Sequence, residues 1–285
     1  MVKNRYKIFI FSILLIIGIC FAKFKTADYI LNIDSFEKVG FIIEESDENT
    51  LVIFDVDETL IQANDAGLQR KNSSSANEIL EELKEKYPKL KTEEFDSYIR
   101  SIVMQQAIRE IIEPYSVNFI KGLQEKGIKT IALTKMRTGS YGKLMSEKWR
   151  ADGLKKLGIN FDKAFNENLV FNKFKAFHGS YPVFYQGILC TNNQSKGDVL
   201  GAFLDAIQFK PSKVIFFDDL EEQLISVAKE MERRKISFQG YRYLGGEPKT
   251  KKLDVSLAKF QLNYLVENHR WLNDQDAKKL HDNAL

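Results

Sequence analysis

Cysteine is nearly missing from this chain: 285 residues hold two, Cys20 and Cys190. If the N-terminal segment is removed, one thiol remains, and a single thiol excludes an internal disulfide framework. Cys190, inside GILC, reads as a small apolar core filler. Histidine is equally scarce. His178, His269 and His281 are widely spaced and make no zinc-ligand pattern. His178 stands in FKAFHGSYPVFY and is expected to be packed among those aromatics. An excess of one charge is also lacking. The formal net charge is +3, and Lys3, Arg5 and Lys7 account for it within a first 22 residues that hold no acid. The neutral remainder gives no electrostatic ground for binding nucleic acid. No apolar run reaches the roughly 20 residues of a membrane span, and no internal repeat is visible.

What is present begins with a leader. MVKNRYK is a positive start, and IFIFSILLIIGICFA is a 15-residue apolar run with Cys20 and Ala22 at −3 and −1 of a cut before Lys23. This predicts an exported chain, periplasmic or secreted. An uncleaved N-terminal anchor is the alternative and would be the only membrane contact. A lipoprotein is disfavoured, because Ile19 precedes Cys20 where a small residue is wanted.

Beyond the leader, apolar runs alternate with helical patterns. SFEKVGFIIEES reads as an amphipathic helix with Ser35 as N-cap. LVIFD, residues 51–55, is too short and too uniformly apolar for a surface helix and fits a strand buried on both faces. Residues 61–75, ending in NSSSAN, read as a loop. NEILEELKEKY and TEEFDSYIRSIVMQQAIREIIE then read as helices, the second with Phe95, Ile99, Ile102, Val103 and Ala107 on one stripe. Pro114 opens a further helix that stops at Gly127. KTIALT, LVF, VFYQGILC, KVIFFDD and ISFQGYRYL read as extended, with helices between them. This alternation predicts a doubly wound parallel α/β sheet with helices on both faces. LDVSLAKFQLNYLVENHRWL is expected as a helix on the outside.

Three of the strand-like runs end in polar groups: Asp55 and Asp57, Thr134, and Asp218 with Asp219. Ligands of open parallel sheets bind beyond the carboxyl ends of the strands. If these strands are neighbours, four carboxylates and a hydroxyl meet in one crevice. Such a cluster repels itself unless a cation joins it. Its all-oxygen donors favour a hard ion, Mg²⁺ first. Lys196, at the mouth of the helix feeding KVIFFDD, supplies the ammonium that can hold a phosphate and offset a carboxylate nucleophile. Thr134, with Lys135 and the backbone N–H groups beyond it, can take the remaining phosphate oxygens. A calcium loop starting at Asp55 is excluded, since its sixth position is Leu60 and its twelfth Ala66. The bland alternative, aspartates acting merely as strand-end turn formers, leaves the ordered set unexplained.

That ordered set resembles the four motifs of the haloacid dehalogenase superfamily over residues 50–225: Asp55-Val-Asp57-Glu-Thr59, Thr134, Lys196, and Asp218-Asp219. GILCTNNQSKGDVL and the segment Trp271 to Asp274 are similar to an uncharacterised exported bacterial branch of it. The resemblance implies an α/β core over 23–61 and 113–285, with a helical cap over 62–112. It implies a phosphomonoester hydrolase for a small phosphorylated substrate, with Asp55 as nucleophile and Asp57 as proton donor and then base. Thr59 would steady the loop. Asp55, the backbone carbonyl of Asp57, Asp218 and Asp219 would form the Mg²⁺ site. An acid at position 57 argues against ion pumps and dehalogenases. Two rivals remain: an exported binding protein without turnover, and a phosphotransferase or mutase. Within the cap, Arg70, Lys71 and Gln105 read as solvated residues, and Arg137 as structural.

Overall fold

The computed structural model describes residues 29–283. The leader expected over 1–22 lies outside the described residues. Among them, no helix is long and apolar enough to cross a membrane.

In chain order the strands are β1 (Ile30–Ile33), β2 (Thr50–Phe54), β3 (Ile61–Ala63), β4 (Arg109–Ile111), β5 (Lys129–Thr134), β6 (Ser140–Tyr141), β7 (Leu144–Met145), β8 (Leu169–Val170), β9 (Val183–Tyr185), β10 (Ile188–Cys190), β11 (Lys213–Asp218) and β12 (Ser237–Tyr243). The helices are α1 (Ile42–Glu45), α2 (Ser73–Lys86), α3 (Glu93–Gln106), α4 (Tyr115–Glu125), α5 (Ser146–Lys156), α6 (Lys196–Ala206), α7 (Glu221–Arg234), α8 (Val255–Asn268) and α9 (Asp274–Asp282). One eight-stranded sheet runs in the order β1-β12-β11-β2-β5-β10-β9-β8. It is parallel from β1 through β10 and turns antiparallel at β9 and β8. The protein is therefore mixed α/β with a mostly parallel central sheet.

Sequence period explains why β2 lies in the middle. Leu51, Val52, Ile53 and Phe54 are all fully buried. Successive strand side chains point to opposite faces. Val52 and Phe54 join one core cluster, with Phe119, Leu123 and Leu154 of α4 and α5. Leu51 and Ile53 join the other, with Val199, Phe203, Leu224 and Val227 of α6 and α7. On the first face an aromatic ladder crosses three strands. Phe54 stacks on Phe217, and Phe217 on Tyr241, at 5.0 Å each. The register that pairs Phe217 with both neighbours fixes this ladder.

VFYQGILC folds back as β9 and β10 around Gln186 and Gly187, with φ of 47° and 80°. Two positive φ values in a two-residue loop match the twist of the flanking strands. A Cβ on Gly187 would lie 2.0 Å from the carbonyl oxygen of Phe161, so glycine is required there.

Several local expectations are corrected. The helix expected over SFEKVGFIIEES is broken into a 3-10 turn, Phe36–Val39, and the single turn α1. Ser35 caps the 3-10 turn as expected, its hydroxyl oxygen accepting the Glu37 N–H at 3.1 Å, and Glu113 adds to it by accepting from the Ser35 hydroxyl at 2.7 Å and the Phe36 N–H at 3.0 Å. The serines of NSSSAN form the first turn of α2. The second insertion helix stops at Gln106, because Arg109–Ile111 pairs as β4 with β3, inside the segment read as a loop. The C-terminal helix α8 covers the insertion. Its Ala258, Leu265 and Val266 pack with Ile79, Leu83, Ile99 and Ile102 of α2 and α3, and with Trp271.

Candidate active site at the strand carboxyl ends

The strand order makes β11, β2 and β5 neighbours, so their C-terminal residues open into one cleft of about 300 Å³. Asp55, Asp57, Thr134, Lys135, Lys196, Asp218 and Asp219 all line it. Asp55 extends the strand ladder by one bond, its N–H donating to the Phe217 carbonyl at 2.8 Å. The chain then makes a single tight turn. The N–H groups of Leu60 and Ile61 both donate to the Val56 carbonyl, at 2.9 and 3.0 Å, and Glu58 takes a left-handed φ of 66°. Thr59 lies buried behind the turn. Its hydroxyl oxygen accepts the Asp219 N–H at 3.1 Å, tying the first acidic loop to the last.

Lys196 is the first residue of α6, whose N-cap Ser195 accepts from the Asp198 N–H at 3.3 Å. Its ammonium is 2% exposed and donates to Asp55 Oδ1 at 2.5 Å and to Asp218 Oδ2 at 2.6 Å. Burial pushes the Asp55 carboxyl up, against the pull of Lys196. Burial likewise pushes Asp218 up to about 7, with Lys196 again opposing. Burial also works against charge on Lys196, but Asp218 and Asp55 outweigh it and hold the ammonium protonated. The three groups form one interdependent charge cluster.

Asp219 completes the acidic set. One of its oxygens pairs with Arg70; the other, Oδ1, is buried and has no hydrogen-bond partner among the described residues. Leaving such an oxygen unsatisfied costs about 1–3 kcal/mol or more. Carboxylate oxygens of Asp55, Asp218 and Asp219 lie within 4.8 Å of one another. An orphaned anionic oxygen beside two further carboxylates, with no nitrogen or sulfur donor, fits a hard divalent cation. The Asp55, Asp218 and Asp219 side chains are the groups able to hold it.

Asp57 points away from this cluster. Its carboxylate is half exposed and gripped on both oxygens by Arg150, at 2.9 and 2.7 Å. Arg150 is a residue that motif reading missed. A signal existed: Ser146, Arg150 and Leu154 recur at every fourth position of α5, and all three face inward. The neighbouring Trp149 donates its indole N–H to the Met104 carbonyl at 2.8 Å. The guanidinium groups of Arg109 and Arg150 stand over this indole at 4.8 and 4.9 Å.

Thr134 ends β5 and is buried. Its hydroxyl accepts the Met136 N–H at 3.3 Å and its carbonyl accepts the Thr191 N–H at 2.9 Å. Lys135 is exposed on the rim. Arg70, expected in solvent, instead faces the cleft against Asp219, because the turn that carries it is anchored by its own N–H donating to Glu58 at 3.1 Å. Lys71 and Gln105 are exposed and do not line the cleft. Arg137 pairs with Glu93 at 3.2 Å and stacks on Tyr141. His178 is not packed inside. It lies half exposed, with φ of 48°, and pairs with Glu93 at 2.9 Å. Cys190 is fully buried, and burial raises its thiol to about 12.

The segment Trp271 to Asp274 clamps the C-terminus to the start of the insertion. Buried Asp65 accepts the Trp271 indole N–H at 2.7 Å and the Asp274 N–H at 2.9 Å. Asp274 in return accepts the Ala66 N–H at 2.9 Å and the Gln261 amide at 3.1 Å.

Three similar proteins come from Rickettsia, and all are described as uncharacterized. The one from Rickettsia prowazekii (strain Madrid E) is 24% identical over 241 residues, 84% of this chain and 85% of its own. That from Rickettsia conorii (strain ATCC VR-613 / Malish 7) is 32% identical over 64% of this chain and 66% of its own. That from Rickettsia bellii (strain RML369-C) is 29% identical over 60% and 62%. In the last two the match spans less than two thirds of the relative. No solved structure matches the chain. The profile described as "Protein of unknown function (DUF2608)" matches residues 32–278, and the chain belongs to that family.

Proposed function

We propose that the chain is a phosphomonoester hydrolase, dependent on a divalent cation and working through a phosphoaspartate on Asp55. The observation that supports this reading is one juxtaposition: Asp55 on Lys196, with Asp218 and the orphaned Asp219 oxygen beside it, at the mouth of a cleft. Kinship with the haloacid dehalogenase superfamily and an exported location belong to the same proposal.

In the proposed reaction an Asp55 carboxylate oxygen attacks phosphorus and the bond to the leaving oxygen breaks. Asp57 gives that oxygen its proton. Water then attacks the phosphorus, passing its proton to Asp57. The bond to Asp55 breaks and inorganic phosphate leaves. Lys196 offsets the charge on Asp55, and Thr134 with the N–H groups after it and Lys135 hold the non-bridging oxygens. Arg150 keeps the Asp57 carboxylate turned toward the leaving group. A bound magnesium ion would neutralise the charge of the phosphate brought against these carboxylates. The insertion over the cleft would exclude water during transfer.

The test is hydrolysis of an aryl phosphate with Mg²⁺, repeated with EDTA and with Asp55→Asn. Turnover should need the cation and vanish in the variant. Turnover that survives either change would overturn the proposal. Failure against a broad panel of phosphate esters would leave a binding role.

A further inference from the structure

Arg109 is a cation at the cleft that the chemistry above does not use. It opens β4, opposite Ala63, and lines the cleft together with Asp57. It also lines an adjoining cavity of about 270 Å³ with Ile61, Met104, Trp149 and Leu154. Its guanidinium stands over Trp149 at 4.8 Å, an indole held in place by the Met104 carbonyl. Its hydrogen bonding is poor: one long bond, 3.4 Å, to the Ala107 carbonyl, and no carboxylate partner among the described residues. Arg150, on the same indole, is by contrast paired with the Asp57 carboxylate. Burial and the nearby Arg150 charge lower Arg109 to about 10, so it stays a cation at neutral pH.

A guanidinium has five N–H donors in a rigid fork suited to carboxylate or phosphate. Leaving it mostly buried, beside a second cation and without a paired anion, is costly unless an anion arrives. The phosphoryl group itself is accounted for by Lys196, Thr134 and Lys135. Arg109 lines the same cleft as Asp57, the residue that serves the leaving group in the proposed reaction.

We infer that Arg109 is a specificity residue, and that the substrates are phosphomonoesters whose alcohol carries a second anionic group, a carboxylate or another phosphate. This rests on the hydrolase reading for the direction of the leaving group, though the anion preference itself can be read by binding alone.

The test is calorimetric titration of the Asp55→Asn chain, with Mg²⁺, using phosphoglycolate and ethyl phosphate, ligands of similar size that differ by one carboxylate. The same pair is then titrated into Arg109→Met, Arg109→Lys and Lys135→Met on that background. Phosphoglycolate should bind about 10- to 100-fold tighter, the worth of a charge-assisted bond. The ratio should fall to near one in Arg109→Met, recover in part in Arg109→Lys, and persist in Lys135→Met. Replacing phosphoglycolate by an alkyl bisphosphate separates the two anion sources. Equal affinities, no binding of either ligand, or a preference that follows Lys135 would overturn the inference. The hydrolase reading fails separately, by absence of turnover in the unmutated chain.

Discussion

Replacing Lys196 by methionine tests the charge cluster without assuming any reaction. The side chain is 2% exposed and lies between Asp55 and Asp218, which are 9% and 1% exposed. Methionine fills most of the same volume, so the cavity contribution is small. What changes is charge: two buried carboxylates lose their only ammonium. Breaking one buried pair costs about 3–5 kcal/mol. With a urea slope of about 3 kcal/mol/M, the unfolding midpoint should fall by about 1–1.7 M. The sign of the pH dependence follows. Asp55 and Asp218 are already raised by burial, Asp218 to about 7, with Lys196 opposing. Without Lys196 both folded-state values rise further above the unfolded value of about 4. A group raised on folding contributes stability below its unfolded pKa, and that contribution is lost as pH rises through the folded pKa. The deficit of Lys196→Met should therefore be smallest below the folded values of the unmutated chain and grow as pH rises through about 7, where Asp218 ionises in the unmutated chain but not in the variant. Urea melts of both proteins from pH 5 to 8.5 measure it. A loss under about 1 kcal/mol at pH 8, or one independent of pH, would refute the reasoning.

Other outcomes follow from the same structure. Asp57→Asn should lower kcat by about 10²–10⁴ and also lower the melting temperature, because Arg150, 5% exposed, loses its carboxylate partner; steady-state kinetics and calorimetry read both. Asp65→Ala should destabilise by about 2–5 kcal/mol in denaturant melts, because the Trp271 and Asp274 N–H groups lose a buried charged acceptor. Cys190, its thiol near 12, should resist a thiol reagent at pH 8 in the folded chain and react fully in urea.

The parallel core was legible because its strands are buried on both faces and therefore read as continuous apolar runs. The acidic tips were legible because a strand that ends in two carboxylates has no core reason to do so. Short elements were not. β3 and β4 have three residues each, too few to show a period, and they pair across an insertion. The Glu113 bonds that anchor the start of the 36–39 turn come from some 77 positions away. Arg70 and Arg150 find Asp219 and Asp57 through tertiary contacts; the period of α5 shows that Arg150 faces inward but not which acid it meets. The Asp65–Trp271 bond spans 206 positions, and the motif containing Trp271 carried no hint of its partner.

The central claim is that Asp55 takes the phosphoryl group. Its most direct test is acid quenching of the chain during turnover of a ³²P-labelled phosphomonoester with Mg²⁺, followed by peptide mapping. Acid-stable, hydroxylamine-sensitive label should appear on the peptide containing Asp55 and be missing from Asp55→Asn. Turnover with no trapped label, or label on any other residue, would contradict the account.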